Sequence, residues 1–392
     1  MSQRPSVKRD FSFSNPAVRA WLFQAGAVAL VLAAAGYLLH NTVINLASRG
    51  ITSGFGFLER SAGFGIVQHL IDYSEGDTYA RVFMVGLTNT LLVSALCIVF
   101  ASFLGFFIGL ARLSDNWLLR KLSTIYIEIF RNIPPLLQIF FWYFAVLRNL
   151  PGPRQAVNAF DLFFVSNRGL YIPFPNAAAG IWPFIVAVLL AIAASIALFR
   201  YNRTYQLKTG QLRRSWPLAL AMLLILPLAA NLVFGAAIHW DIPALHGFNF
   251  RGGFALIPEL ASLTLALSIY TSSFIAEVIR SGIQSVPHGQ HEAARSLGLP
   301  NPVTLRQVII PQAMRVIIPP LTSQYLNIVK NSSLAAAIGY PDMVSLFAGT
   351  VLNQTGQAIE TIAITMGVYL IISLLISLLM NIYNRKIRLV ER

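Results

Sequence analysis

The chain has 392 residues, of which 56% are hydrophobic, 12% aromatic and only 11% charged, where a soluble domain carries about a quarter charged residues. That balance excludes an ordinary soluble enzyme or binding module and points to a protein built for lipid. The net charge of +14 raises nucleic acid as a partner, but with both termini placed in the cytoplasm 21 of the 29 Lys and Arg residues fall on the inner side. This is the positive-inside bias of membrane topology, so lipid, and no nucleic acid, is expected.

A helix crosses a hydrocarbon core of about 30 Å with about 20 mostly apolar residues. Runs of that kind lie near 20–40, 82–111, 126–147, 177–199, 216–238, 256–281, 316–338 and 360–383. They predict an all-α integral membrane protein of about eight transmembrane helices, multi-pass in a cytoplasmic membrane. Residues 1–81 form a cytoplasmic N-terminus, first span and external loop; 82–383 form the core, with a cytoplasmic loop at 281–315; 384–392 form a basic tail. Basic residues precede the first run as in a signal peptide, but Trp21 to Leu39 is too long and no small-x-small site closes it, so it reads as a true span. Inner clusters alternate with the spans: Arg4/Lys8/Arg9/Arg19, Arg112/Arg120/Lys121/Arg131, Arg200/Arg203/Lys208/Arg213/Arg214, Arg280/Arg295/Arg306/Arg315 and Arg385/Lys386/Arg388/Arg392.

In chain order, SGFGFLERSAGFGI (53–66) reads either as an interfacial or docking segment or as an ordered loop. Asn89 and Thr90, in the second span, either line a pore or cap backbone, and Cys97 is the only cysteine, which leaves no disulfide or thiolate cluster. RNIPPLLQ (131–138) should bend the third span near Pro134. Residues 148–176 read as turns and 200–215 as a basic hairpin at the headgroups. On the sixth span Thr264, Ser268 and Thr271 form a polar stripe with Tyr270 and Ser272 nearby. RVIIPPLTSQ (315–324) should break the start of the seventh span. Lys330 lies in that span, about 20 Å from its start at 1.5 Å per residue, and Gln324, Asn327 and Asn331 follow one face beside it at i, i+3 and i+7. Ionisable groups at membrane depth are costly and mark function. These stripes either line a translocation cavity, Lys330 countering a carboxylate, or glue helices at about 0.6 kcal/mol per contact. Glu128 with Arg131 and Glu277 with Arg280, both near the inner surface, read as i, i+3 salt bridges or as gating or intersubunit contacts.

Between the sixth and seventh spans lies SGIQSVPHGQHEAARSLGLPNPVTLRQVIIPQAMR (281–315). Ser285 should cap a short helix with Pro287 in its first turn, running to Leu297, with Gly298 as the left-handed stop. Asn301 should cap a second helix that starts with Pro302 and ends at Pro311. Ala293 and Ala294 present almost no side chain, with Glu292 and Arg295 at the edges and Leu297 beneath, so the helix can lie in a partner's groove. His288 and His291 share a face and read as a surface pair.

Glu292-Ala293-Ala294 followed by Gly298, the branched aliphatics at 308 and 310, and Pro311 resembles the EAA loop of ABC importer permeases. IYIEIFRNIPPLLQIFFWYF (125–144), GLTNTLLVS (86–94), LSIYTSSFIAEVIRSGIQSVPHGQHEAARSLGLP (267–300) and NIVKNSSLAAAIG (327–339) resemble the polar amino-acid subfamily, particularly its general L-amino-acid members. Val308 and Ile310 depart from the pattern while keeping a branched apolar surface. The resemblance implies a type I ABC-importer permease core in a bacterial inner membrane, passing an amino-acid substrate. Its coupling residues would be His288, Glu292, Ala293, Ala294, Arg295, Ser296, Leu297, Gly298 and Pro311. It also implies an ATPase subunit dimer, a second homologous permease in a heterodimer, and a soluble amino-acid-binding protein. The five lysines include no Gly-Lys dipeptide, so this chain has no Walker loop; ATP and Mg belong to the partner ATPase and no cofactor is expected here. A secondary transporter driven by an ion gradient through Lys330 or Glu277 is the alternative. A membrane enzyme lacks the converging carboxylates or nucleophile it would need.

Overall fold

The computed structural model describes residues 16–48, 54–177, 182–211, 214–233 and 238–387. The basic positions Arg4, Lys8, Arg9, Arg213, Arg388 and Arg392 lie outside the described residues, as does most of the expected 384–392 tail. Among the described residues six helices are long and apolar enough to cross a membrane: Val18–Thr42, Tyr79–Arg112, Phe184–Thr209, Trp216–Val233, Pro258–Gln284 and Ala358–Lys386.

The chain forms two compact units. The first comprises residues up to 88 and 341–371. Within it α1 (Pro16–Ser48) carries exposed apolar side chains along its length. Residues 54–78 form an ordered loop. A bridge between Ser61 and Thr78 closes it, and Phe57 is buried against Tyr79, ring centroids 6.1 Å apart. Leu346, Phe347 and Val351, on a π-helical segment Val344–Val351, pack inward, with Phe347 edge-on to Phe83. Gly54 N donates to Glu360 Oε1 across 306 residues of sequence.

The second unit, residues 89–340 and 372 onward, holds the elements that build the candidate site. Its core is α7 (Pro258–Gln284), packed on α2 (Tyr79–Arg112), α3 (Trp117–Asn132), α4 (Pro135–Phe140) and α10 (Ile310–Ser332). Close approach depends on small residues, as expected where lipid removes the hydrophobic force between helices. A Cβ on Gly105 would stand 2.7 Å from Ile275 Cβ, one on Gly109 2.9 Å from the Ala276 carbonyl, and one on Gly282 would strike Ile317.

The third apolar run is broken where the prolines fall. α3, capped by Asn116 Oδ1 accepting from Leu118 N and Leu119 N at 2.9 and 3.3 Å, ends at Asn132, and α4 restarts at Pro135 before a π-helical turn Phe141–Val146. Two consecutive prolines supply no N–H, so the preceding carbonyls lose partners. Gln138 Nε2 replaces them, donating to Phe130 O at 2.9 Å and Ile133 O at 3.0 Å. The Pro319–Pro320 pair, by contrast, does not break the seventh helix: α10 runs through both. Thr322 Oγ1 donates to Ile318 O at 2.9 Å, one turn beyond the carbonyls of Arg315 and Val316 whose N–H donors the prolines remove. That helix spans 310–332 rather than 316–338; beyond it Ser333–Ile338 tightens into a 3-10 turn that Gly339 ends at φ 76°.

The all-α expectation needs correction at 157–177 and 238–256, where among the described residues eight short strands form a small cap. The cap includes β1 (Val157–Ala159), β2 (Phe163–Ser166), β3 (Gly169–Ile172) and β8 (Phe254–Leu256), ordered β1-β2-β3-β8 and antiparallel throughout. Alternating residues such as those of Gly169–Ile172, buried and half-buried in turn, give strands too short to stand out from turn sequence. Residues 200–209 continue the helix Trp182–Thr209 rather than forming the basic hairpin. The turn that follows, at Gly210, is held by Asn202 Nδ2 donating to Ser215 Oγ at 2.9 Å.

Candidate functional site: the inner elbow and the polar face of helix 10

α7 ends at Ser285, whose hydroxyl donates to Gly282 O at 2.7 Å; Ser285 therefore closes the preceding helix rather than capping the next. α8 (His288–Ser296) starts behind Pro287 with no side-chain cap. At its far end Leu299 N donates to Ala294 O and Gly298 N to Arg295 O, a Schellman-type closure, with Gly298 at φ 70° as expected. α9 (Asn301–Thr304) follows Pro300, and Asn301 is its first residue rather than its cap. Pro311 does not end this helix. The chain passes through a π-helical segment Leu305–Ile309 into α10, with Pro311 in the first turn. A wider turn relieves the clash of the Pro311 ring with the carbonyl four residues back.

The two sides of α8 differ. Ala294 is 3% exposed and seats the helix on its own chain, and Gln312 Nε2 donates to Gln290 Oε1 at 3.1 Å, pinning it to the first turn of α10. Glu292, Ala293, Arg295 and Ser296 are exposed, and Leu297 is 78% exposed. Leu297 therefore projects outward rather than lying beneath the helix, because the left-handed turn at Gly298 swings the chain away immediately after it. His288 Nδ1 lies 3.1 Å from Glu292 Oε1; among the described residues no group of three metal-binding side chains forms.

Above the elbow, α7 and α10 meet at Gly282 and Ile317. Glu277 on α7 pairs with Arg280, and also with Arg112 at the end of α2. The second contact spans 165 residues and escaped the sequence reading; matching membrane depth between the end of the second run and Glu277 was its only signal. Glu128 and Arg131 form no ion pair; Arg131 lies over the Phe274 ring at 5.4 Å instead. Further cross-helix bonds missed by sequence join Tyr126 Oη to Ser272 Oγ at 2.8 Å, Tyr143 Oη to Glu259 Oε1 at 2.7 Å and Ser102 Oγ to Tyr325 Oη at 2.9 Å.

The predicted polar stripes occupy different surroundings. Ser268 and Thr271 are buried, and Thr264 half-buried, with the Cys97 thiol of α2 against Ser268 and Thr264. Asn89 is fully buried, its carbonyl accepting from Tyr340 Oη at 3.3 Å. Tyr270 is half-buried, edge-on to Phe274. On α10 Asn327 and Lys330 are exposed and Gln324 and Asn331 half-buried, while Ile328, Val329 and Ser332 turn inward. Lys330 stands in the last turn, where the helix dipole favours a cation.

Residues 216–389 match the family model of the binding-protein-dependent transport system inner membrane component. Over the full length, the chain is 79% identical to the putative amino-acid ABC transporter permease protein YhdX of Escherichia coli K12, covering 100% of this chain and 99% of that one. The chain belongs to this permease family. Other members are the general L-amino acid transport system permease AapQ of Rhizobium johnstonii, at 49% identity over 96% of this chain and 94% of that one, and the glutamate/glutamine/aspartate/asparagine permease BztB of Rhodobacter capsulatus, at 40% over 93% and 92%. As an inner-membrane permease the protein is a multi-pass transport component rather than an enzyme.

Proposed function

We propose that this permease passes amino acids across the inner membrane as one subunit of an ATP-driven importer, with α8 as the part an ATPase subunit grips. The observation that carries the reading is the two-sided elbow. Its inner side is bonded to its own chain through Ala294 and Gln290, while Glu292, Ala293, Ser296 and Leu297 face outward. Push α8, and α7 and α10 are pushed together, because the elbow joins their ends and Gly282 locks them at Ile317. α10 then carries the displacement to Lys330, 20 residues and about 30 Å along at 1.5 Å per residue. There Gln324, Asn327, Lys330 and Asn331 would line the pathway, Lys330 taking the substrate carboxylate and the amides its ammonium. Tyr270 would flank the pathway, while Thr264, Ser268, Thr271 and Asn89 support its wall from within. The second permease, the ATPase pair and a soluble binding protein complete the assembly. ATP hydrolysis on the partner supplies direction, coupled to transport through the different affinities of the inward- and outward-facing states for ATP and substrate. The names of the relatives support amino acids as the cargo.

The one native cysteine, Cys97, is buried, so a single cysteine introduced at Ala293 or Ser296 reports cleanly. Cross-linking of that cysteine to a co-purifying ATPase, with uptake that persists when an uncoupler collapses the ion gradient while ATP remains, supports the reading. Accumulation of substrate by this chain alone in vesicles refutes it.

A further inference from the structure

On the strand cap, Gly152, Pro153, Arg154, Gln155, Arg168 and Phe248 line a cleft of about 260 Å³. It brings together two exposed guanidiniums, and neither enters any ion pair among the described residues. Arg154 lies over the Phe248 ring at 4.6 Å. The two walls are tied by Asn167 N donating to Pro151 O at 2.9 Å, so the like charges are held together by backbone rather than meeting by chance. Gathering two cations around one hollow without a carboxylate is a standing preference for an anion, and planar guanidinium forks suit the paired oxygens of phosphate.

Position identifies the source. Arg168 precedes Gly169, whose approach to Leu256 is so close that a Cβ would stand 2.5 Å from its carbonyl oxygen, and Leu256 lies two residues before α7, a membrane-spanning helix, begins at Pro258. Arg154 lies five residues beyond Asn149, where the helical run of the third span ends. Both guanidiniums therefore stand within a few residues of the ends of helices that abut the hydrocarbon core, within side-chain and loop reach of the headgroup layer. Beside them the β1–β2 hairpin exposes apolar side chains: Val157 and Phe163, and Phe160, which is 90% exposed. Phe160 and Asp161 occupy the left-handed region at φ 59° and 54°, held by Asp161 N donating to Asn158 Oδ1 at 3.0 Å and by Asn158 Nδ2 on Asp161 Oδ1. A backbone conformation rare for non-glycine residues, presenting an aromatic ring to the surroundings, suits a hairpin whose tip rests among lipid chains. The charge distribution also makes these arginines unusual, since they lie on the side that the positive-inside bias leaves poor in them.

We propose that the Arg154–Arg168 cleft binds the phosphodiester headgroup of an anionic phospholipid, with the Phe160 hairpin tip seated in the adjoining interface. The test is native mass spectrometry of the full transporter titrated with phosphatidylglycerol or phosphatidylcholine, on wild type and on R154Q, R168Q and the double variant, with thermal stability recorded to confirm folding. Phosphatidylglycerol retention should fall about tenfold for each guanidinium removed, while Arg154→Lys, keeping charge without the fork, should fall between. Unchanged phosphatidylglycerol retention in a folded double variant overturns the proposal. So does displacement of the lipid by millimolar inorganic phosphate, which would assign the cleft to free anions. Loss of soluble-partner binding with lipid retention intact would assign it to an acidic protein surface and equally overturn it. If R154Q misfolds, Phe160→Ser, which leaves the cleft untouched, should weaken lipid retention without abolishing the headgroup preference.

Discussion

Gly298 offers the sharpest test of mechanical coupling. It stands at φ 70° between the exposed Leu297 and the turn into α9, and a Cβ built there meets nothing within 4 Å. A side chain at 298 therefore costs no packing, and only the left-handed backbone is penalised. For a β-branched residue that penalty is about 2 kcal/mol, which shifts the equilibrium between the native turn and its alternatives about 30-fold against the native turn. Asparagine tolerates the left-handed region several-fold better, so the series Gly298→Val, Gly298→Ala and Gly298→Asn varies backbone strain while leaving docking chemistry nearly constant. In the reconstituted complete transporter, ATP hydrolysed per amino acid imported should rise strongly for Val, less for Ala and least for Asn, with assembly unchanged. A Val variant as tightly coupled as wild type would refute the rigid elbow, since a turn that can be refolded at no functional cost transmits no force.

Lys330→Met should lower uptake about tenfold or more, the worth of one hydrogen bond to a charged group, with assembly and Tm unchanged; wild-type uptake would remove Lys330 from the pathway. Glu277 pairs with both Arg112 and Arg280, so Glu277→Met should destabilise by about 1–3 kcal/mol. The Arg112→Met/Glu277→Met double variant should be less destabilised than the two single effects added together, and simple additivity in thermal unfolding would deny the coupling. Asp342, buried with Tyr369 Oη donating to it at 2.9 Å, has its carboxyl pushed up to about 6 by burial. The native state thus holds this proton more tightly than the unfolded chain, and the stability it confers is complete below pH 4 and lost as pH rises through about 6. Thermal stability should fall between about pH 4 and 6 in wild type, and that slope should flatten in Asp342→Asn; a slope unchanged by the substitution would exclude Asp342 as its source.

Much of this protein was legible in one dimension, because lipid imposes rules that act residue by residue. Apolar runs located the six helices that, among the described residues, are long and apolar enough to cross a membrane, since a helix must satisfy its own backbone and cover about 30 Å. Pro134–Pro135 announced the break of the third, and Gly298 the left-handed stop of the elbow, because missing N–H groups and missing Cβ atoms are local facts. What the tertiary structure alone decided depends on partners distant in sequence. Whether Pro319–Pro320 break a helix turns on the packing of α10 against α7, and which face of α8 Leu297 joins turns on the exit angle at Gly298. Whether Thr264 and Ser268 meet a cavity or Cys97 depends on how close Gly105 and Gly109 bring α2 to α7. The pairing of Glu277 with Arg112 across 165 residues likewise needs two helices to end at one depth. Periodicity can say that a face is polar, but only packing can say what that polarity faces.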